Sequence, residues 1–591
     1  RDAELNLQPL GTGLQTRSTM GAYEFYASDT WRVKPSFTLT YGLTYNWQTP
    51  PVEASGKQTV LTYKDSGEWV DYQNYLDTKR GAALRGESWN PDLAFVPLNK
   101  TGRRTAFDTD FTNVSPRVSI AWNPALTNKL FGNYRTVIRA GYSLMFDRTN
   151  TVQTVTIPTL GLGFSQTQVV TEPQTATGAF WRIGVDGHIP LPMVAAKLTA
   201  PIVPEKTLDE IVSVAVDPNI KTPRHHVWDV TIQRELPHDL LLEVGWIGRF
   251  GRRLYANGNL NSLPLMFTDP KSGQTLAQAI DGVLRDKQVD RFNLRPQPYF
   301  ENLYGAGSTE TFALNFRDGR LSFAQQFMAD LFVANGWMTG PQLTNVQVQD
   351  LWMRTSTARS NYHALFVALH KPFSKGVSFD VNYTLSKSLD NVPGLTQNDM
   401  TPYQSSYDPD IDYSPSLFDL RHIFKASGVY SFKRGWYVAG IFSAHSGLPL
   451  TVIAGSDGFG GSSVYNTFTG AIPMQKSFIT GVHRDGDGLN FFADPEAAVQ
   501  SFRPINPALD RRHGRGALRG LSRWNLDWSV GKETRLGERA KFTVSVEVFN
   551  LFNHVLFNDP KLDPRNYDEF GVLNSQLNSP RRIQLGARID F

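Results

Sequence analysis

The last ten residues, Arg582–Phe591, read R-I-Q-L-G-A-R-I-D-F. Ile583, Leu585, Ala587, Ile589 and Phe591 fall on one face of an extended chain, and Arg582, Gln584, Gly586, Arg588 and Asp590 on the other. Side chains of a strand alternate between faces, so this pattern describes a strand lying between two different solvents. Ten residues is long against the ~5–6 of a soluble strand and suits the ~9–11 of a tilted membrane-crossing strand.

The same alternation recurs upstream. Phe37, Leu39, Tyr41, Leu43, Tyr45 and Trp47 alternate with Thr38, Thr40, Gly42, Thr44 and Asn46. Before them Tyr23, Phe25, Ala27, Trp31 and Val33 share a phase, with Asp29 as its one fault and Lys34-Pro35-Ser36 as the turn between the two strands. Further hairpins are predicted at Val114–Trp122 with Thr136–Phe146, and at His226–Arg234 with Leu240–Gly248. Asn361–Lys371 pairs with Val377–Leu389, and His422–Phe432 with Trp436–Ala444. Trp524, Leu526, Trp528 and Val530 lead into Phe542, Val544, Val546 and Val548. Six hairpins and the terminal strand make about 13 strands.

Turns inside hairpins are short. Connections between hairpins are long, at roughly 48–113, 147–224, 249–360, 390–421, 445–523 and 552–581. Soluble domains seldom hold structureless connections beyond ~12–15 residues, whereas outer-membrane barrels combine short periplasmic turns with long extracellular loops. Trp31, Trp47, Trp122, Trp228, Trp246, Trp436, Trp524 and Trp528, eight of the 13 tryptophans, sit on the apolar phase and are assigned as membrane-interface aromatics. Arg139, Glu243, Asp380, Glu547, Arg582 and Arg588 sit on the polar phase, which would face a wet lumen. The expected fold class is all-β, a transmembrane antiparallel β-barrel.

Composition excludes other chemistry. With no cysteine there is no disulfide scaffold, thiolate metal site or cysteine nucleophile. A net charge of +4 on 591 residues gives no nucleic-acid footprint. No H-E-x-x-H, G-x-S-x-G, phosphate loop or dinucleotide fingerprint occurs. His225 and His226 point to opposite faces of a strand. Asp485-Gly486-Asp487-Gly488 opens like a calcium loop but lacks the later ligands, and Asp408, Asp410 and Asp412 read as a solvated loop. No catalytic, cofactor or metal residues are assigned. Trp69, Trp89, Trp181, Phe459 and Tyr465, with Phe468, Trp337 and Trp352, lie outside the predicted strands. The first five are candidate loop contacts to a ligand, set against packing into mini-cores of the loops.

Several stretches resemble TonB-dependent outer-membrane receptors of the Oar-like group. They are Y-E-F-Y-A-S-D-T-W-R-V-K-P-S-F-T-L-T-Y-G-L-T-Y-N-W-Q-T-P-P (Tyr23–Pro51), S-P-R-V-S-I-A-W-N-P (Ser115–Pro124) and N-Y-H-A-L (Asn361–Leu365). V-N-Y-T-L-S-K-S-L-D (Val381–Asp390), D-L-R-H-I-F (Asp419–Phe424), V-E-V-F-N-L-F-N-H (Val546–His554) and the terminal Phe591 complete the set. The resemblance implies a plugged barrel of about 22 strands, of which residues 1–591 would be the C-terminal part, with about nine strands, the plug and an N-terminal regulatory-like domain lying upstream. It implies energised uptake of an unidentified bulky ligand through the Gram-negative outer membrane. The expected partners are the TonB complex, engaged through the upstream region, and the barrel-assembly machinery, for which Ile583, Leu585, Ala587, Ile589 and Phe591 resemble the recognition signal. The alternatives are a passive porin-like channel and a secreted soluble all-β carbohydrate-binding protein or enzyme. A heat-modifiable band in detergent-extracted outer membrane is the expected result; a soluble periplasmic pool would rule the barrel out.

Overall fold

Alternating segments bury nothing until they pair, and the structure shows how they pair. It is a computed structural model of the 591-residue chain. It describes all residues except 10–11, 14, 129–130, 157–163, 165–176, 183, 188–194, 205–209, 291, 316–322, 393–400, 455–457, 463–468 and 538. Thirteen strands follow one another in a single antiparallel path. They are β1 (Ala22–Lys34), β2 (Phe37–Gln48), β3 (Val114–Trp122), β4 (Thr136–Phe146), β5 (Arg224–Leu236) and β6 (Leu240–Asn259). There follow β7 (Val348–Ser374), β8 (Val377–Asp390), β9 (His422–Ser431), β10 (Trp436–His445), β11 (Arg523–Leu536), β12 (Ala540–Phe549) and β13 (Arg582–Asp590). Each contains a segment of period-two alternation. Among the described residues β1 bonds along this path only to β2, and β13 only to β12, so the sheet has two free edges.

Register places apolar on apolar. One row runs Phe37–Trp122–Ile138–Ile232–Val244–Val367–Tyr383–Phe424–Ala444–Trp524, directly opposed from β2 to β11. A one-residue slip anywhere along it would turn a strand's apolar side inward, which is why the register is strongly specified. The other face is polar. Arg139 donates to Gln233 Oε1 at 2.5 Å and Gln233 donates to Glu243 Oε2 at 3.0 Å, a chain crossing β4, β5 and β6. The fault in β1 is satisfied on its own face, where the Tyr41 hydroxyl donates to Asp29 Oδ2 at 3.2 Å.

Two strands overrun their predicted ends. β6 has 20 residues and β7 has 27, and they stay paired out to Asn259 and Trp352 past register shifts at Gly251/Leu254 and Leu254/Ala256. Glu210–Val216 adds a strand parallel to β7 there. The 13 residues from Val348 to Ser360 alone span about 40 Å, so this ribbon extends well past the predicted strand ends.

The long connections carry structure of their own. The first holds α1 (Tyr72–Leu84), opened by Asp71, whose carboxylate accepts from Asn74 N at 2.6 Å. The third holds α2 (Leu276–Val289), α3 (Pro298–Tyr304), α4 (Ser308–Asn315) and α5 (Phe323–Ala334). Thr275 and Gln278 form a capping box on α2, and Leu276, Ala279, Ile280 and Val283 give it one buried stripe. These helices enclose a core around Phe267, Tyr299, Phe300 and Phe312. No helix among the described residues is long and apolar enough to cross a membrane.

The two faces of β5 make opposite predictions. Val230→Arg, on the apolar face midway along the strand, should lower unfolding free energy in detergent by about 2–4 kcal/mol, while Thr231→Arg on the polar face should change it far less. Urea titration with a gel-shift readout measures both.

Candidate ligand-facing site

The outer ends of the strands carry a cap in which separate connections share buried polar groups. Asn259, at the tip of β6, donates from Nδ2 to Asp350 Oδ1 at 2.6 Å and to the Gly461 carbonyl at 2.9 Å. Its backbone N–H donates to Ser406 Oγ at 2.7 Å, and Ser462 Oγ donates to Asp350 Oδ2 at 2.9 Å. All of these side chains are buried, so each unmade bond would cost the full desolvation of its group. The connections 391–421 and 446–522 are thereby tied to the β6–β7 ribbon.

A buried ion pair adds a second tie. Arg515 donates to Asp390 Oδ1 at 2.6 Å and to the Asp412 carbonyl at 3.1 Å. His513 Nδ1 accepts from Gly470 N at 3.0 Å, which leaves the proton on Nε2, 3.2 Å from Asp412 Oδ1. Asp412 is therefore not a solvated loop residue. Asp408 caps a helical turn and Asp410 pairs with Arg359 at 2.7 Å, so the three aspartates diverge. Asp485 and Gly488 close a two-residue hairpin turn. No group of three metal-ligating side chains occurs among the described residues.

The first connection docks on the third through α1. Gly258 on β6 lets Tyr72 lie against the strand, since a Cβ there would meet the Tyr72 hydroxyl at 2.0 Å. Lys79, 2% exposed, donates to Asn90 Oδ1 at 2.9 Å, and Asn90 donates to the Gln342 carbonyl at 2.7 Å. Asp330 on α5 is fully buried and accepts from Leu343 N, Thr344 N and Thr344 Oγ1. Burial pushes the Lys79 ammonium down to about 7, opposed by the Asp330 charge, and pushes the Asp330 carboxyl up to about 6.

A groove of about 380 Å³ opens in the first connection, within the size range of small-ligand sites. Glu53, Gln58, Asn99, Arg103 and Arg104 line it. Arg103 lies over the Trp69 ring at 4.5 Å and pairs with Asp108. Glu53 accepts from Arg17 N at 3.1 Å and Lys57 N at 2.6 Å, and Gln58 keeps a buried carbonyl oxygen without a partner. The groove offers Arg104, an Arg103 shared with Asp108, the Glu53 carboxylate and an unpartnered Gln58 carbonyl oxygen, a mixed donor and acceptor set suited to a hydroxyl-rich group. No periodic signal in the sequence marks these residues, because each belongs to an irregular loop.

The predicted loop aromatics do not converge. Trp69 backs the groove. Trp89 packs on Tyr75 at 5.0 Å inside the core under α1. Trp181 donates to the Gly187 carbonyl at 3.3 Å and is half-exposed. Phe459 is 2% exposed against Ile411 and Ile505, out of reach of a ligand in this arrangement. Tyr465 and Phe468 lie outside the described residues. Trp337 is exposed, and Trp352 is buried on β7 rather than in a loop.

The strand tryptophans are spread over both ends of the sheet. Trp31, Trp122 and Trp436 lie toward the short turns, and Trp47 and Trp524 lie at the loop ends. Trp228, Trp246 and Trp528 lie further in, with Trp228 on Tyr142 at 4.2 Å. On β13, Ile583, Leu585, Ala587 and Ile589 are exposed on one face, and Phe591 follows the strand.

Lys79 and Asp330 give the cap a pH signature. A carboxyl raised from 3.8 to about 6 stabilises the fold at low pH and loses that gain as pH climbs through about 6. An ammonium lowered from 10.5 to about 7 withholds stability below about 7 and restores it as pH rises further. The α1 junction should therefore be weakest between pH about 6 and about 7. Amide-exchange protection across Tyr72–Leu84, corrected for intrinsic rates, should rise on either side, and Asp330→Asn should abolish the rise on the acid side.

Comparison with known proteins places this architecture. No curated protein matches the chain. Among solved structures it is similar to the outer membrane transporter YddB from Escherichia coli, at 9% identity and a TM-score of 0.40, covering 97% of this chain and 54% of that one. It is similar to the pyoverdine outer membrane receptor FpvA from Pseudomonas aeruginosa PAO1, at 8% identity and a TM-score of 0.40, covering 98% and 44%. For the copper transporter OprC the identity is 8% and the TM-score 0.38, covering 97% and 48%. The chain thus spans about half the length of these proteins. Over residues 9–584 it matches the family described as Outer membrane beta barrel domain. With its antiparallel sheet apolar on one face and polar on the other, the chain belongs to that outer-membrane β-barrel family, and its place is the Gram-negative outer membrane.

Proposed function

We propose that this chain is the C-terminal barrel part of a TonB-dependent receptor of the Oar-like group, working in energised uptake or translocation of a bulky ligand. The observation that carries the reading is the pair of free edges on β1 and β13. Unpaired backbone N–H and C=O groups are costly in lipid, which supports a wall closed by further strands. The sequence motifs noted above point to a plugged barrel of about 22 strands as the closed form.

In that arrangement the cap and the groove beside Trp69 meet the ligand, and the polar face, with its Arg139–Gln233–Glu243 chain, contacts the plug. The TonB complex acts through a region upstream of Arg1, and the barrel-assembly machinery reads the β13 face ending in Phe591. The chemistry is binding and passage rather than bond making. Interlocked buried contacts between connections hold the cap as one body, which suits capture of a large ligand better than free diffusion of small solutes.

Planar-bilayer recording of the full-length gene product tests this. A plugged receptor should give no stable conductance until the plug is deleted, and it should bind the periplasmic domain of TonB. Open-channel steps from the intact protein, with no TonB binding, would sink this reading in favour of a passive channel.

A further inference from the structure

A chain without cysteine has no disulfide to fix the parts of its cap. The buried lysine of α1 supplies the reactants of a different cross-link. A buried ammonium ordinarily faces a carboxylate, because a charge without a counter-charge is costly out of water. Lys79, 2% exposed, instead points Nζ at an amide, Asn90 Oδ1 at 2.9 Å, eleven residues further along the chain. Burial holds the amine down to about 7, so about half of it carries a free lone pair at neutral pH.

The surroundings exclude water and hold both partners in place. The Tyr75 ring, 1% exposed, lies 5.9 Å from Nζ, and Trp89, next to Asn90, packs on Tyr75 at 5.0 Å. Asn90 Nδ2 donates to the Gln342 carbonyl at 2.7 Å, and Gln342 N donates to Ser88 Oγ at 3.0 Å. The next two residues hold Asp330, whose carboxylate accepts from Leu343 N at 3.1 Å and Thr344 N at 2.7 Å. Three consecutive residues, 342–344, thus fix both the Asn90 amide and the Asp330 carboxyl, and the Asp330 charge is one that acts on Lys79.

The next residue in sequence sharpens the chemistry. Asn90 is followed by Pro91. Asparagine ordinarily loses ammonia when the following backbone nitrogen attacks its side chain, and that attack needs an N–H, which proline lacks. The route is closed at Asn90, which leaves the Lys79 amine, already in contact with the amide, as the nucleophile.

We propose that Lys79 and Asn90 join in an intramolecular isopeptide bond once the cap has folded. Nζ attacks Cγ; the Nζ–Cγ bond forms, the Cγ–Nδ2 bond breaks, and Nδ2 departs as ammonia with a proton taken from Nζ. The Asp330 carboxyl, raised by burial to about 6, passes that proton. One amide replaces another, neither oxidant nor reductant is needed, and a buried cation is removed. The bond is made once per chain and turns over no substrate. It fastens the end of α1 to the segment that docks on Gln342, and it stands independently of the transport reading. Closure ends the titration of Lys79, so the pH signature of α1 described above is that of the chain before closure.

The test is a tryptic digest of the full-length protein extracted from outer membranes, read by tandem mass spectrometry. Peptides Asp65–Arg80 and Gly86–Lys100 should appear joined, with Lys79 uncleaved and a mass one ammonia below their sum. Fragment ions should place the link between Lys79 and Asn90. The same chain recovered unfolded from inclusion bodies should be unlinked and should gain the bond as it refolds into detergent. Lys79→Arg, which keeps a cation able to donate to Asn90, and Asn90→Ala should each abolish the joined peptide, and heat-modifiability reports folding of each variant. Asp330→Asn should slow its appearance during refolding by about a hundred-fold. Should no variant fold, the wild-type digest decides alone: folded protein cleaved after Lys79 with Asn90 intact would overturn the proposal. So would an equal yield of the joined peptide from the unfolded chain, because the cap would then not be what brings the two groups together.

Discussion

A backbone in lipid has no water to bond to, so every peptide group inside the apolar band must find a partner in the protein. That requirement explains the unbroken antiparallel path from β1 to β13 and the absence of loops within it. It also explains the strictness of the alternation. A strand that is paired on both sides has only two directions left for its side chains, one toward hydrocarbon and one toward the lumen. Asp29 shows how little slack remains: a carboxylate on the hydrocarbon face is tolerated where the Tyr41 hydroxyl stands opposite to bond it.

Outside the membrane the solvent constraint relaxes and packing takes over. The connections then do what soluble domains do, burying leucines, tyrosines and phenylalanines in several small cores. What joins those cores is polar. Asn259, Asp350, Asp390, Arg515 and Lys79 are buried and tie residues far apart in the chain, as with Asp390 and Arg515, 125 positions apart. Such contacts demand specific geometry and are costly to break singly, so they set the relative placement of loops that apolar contact alone would leave free to slide.

This division also governs what could be read from the residues. Strand positions and their lipid-facing phase were legible because period two is a local property, and thirteen repetitions of it leave little room for chance. The outer part of β7, around Val348–Ser360, was not, because cap residues cover both of its faces and the alternation disappears. The helices of the third connection were missed for a different reason. They are short, and their buried stripes emerge only once a partner surface exists. Buried Lys79, Asp330 and Asp412 look like ordinary surface residues in one dimension, which is why Asp412 was assigned to a solvated loop. The groove beside Trp69 draws on Glu53, Gln58 and Arg103, whose proximity is a product of the cap rather than of any spacing.

The two register shifts between Gly251 and Ala256 have a consequence for how such a wall tolerates change. A strand pairing without irregularity carries its inside–outside parity rigidly from end to end, so one inserted residue in the cap would invert everything below it. A bulge absorbs a single residue and resets that parity. The ribbon of β6 and β7 thus behaves like a shaft with a slip joint: the exposed half can gain or lose residues as its targets change, while the half in the membrane keeps its hydrocarbon face unturned.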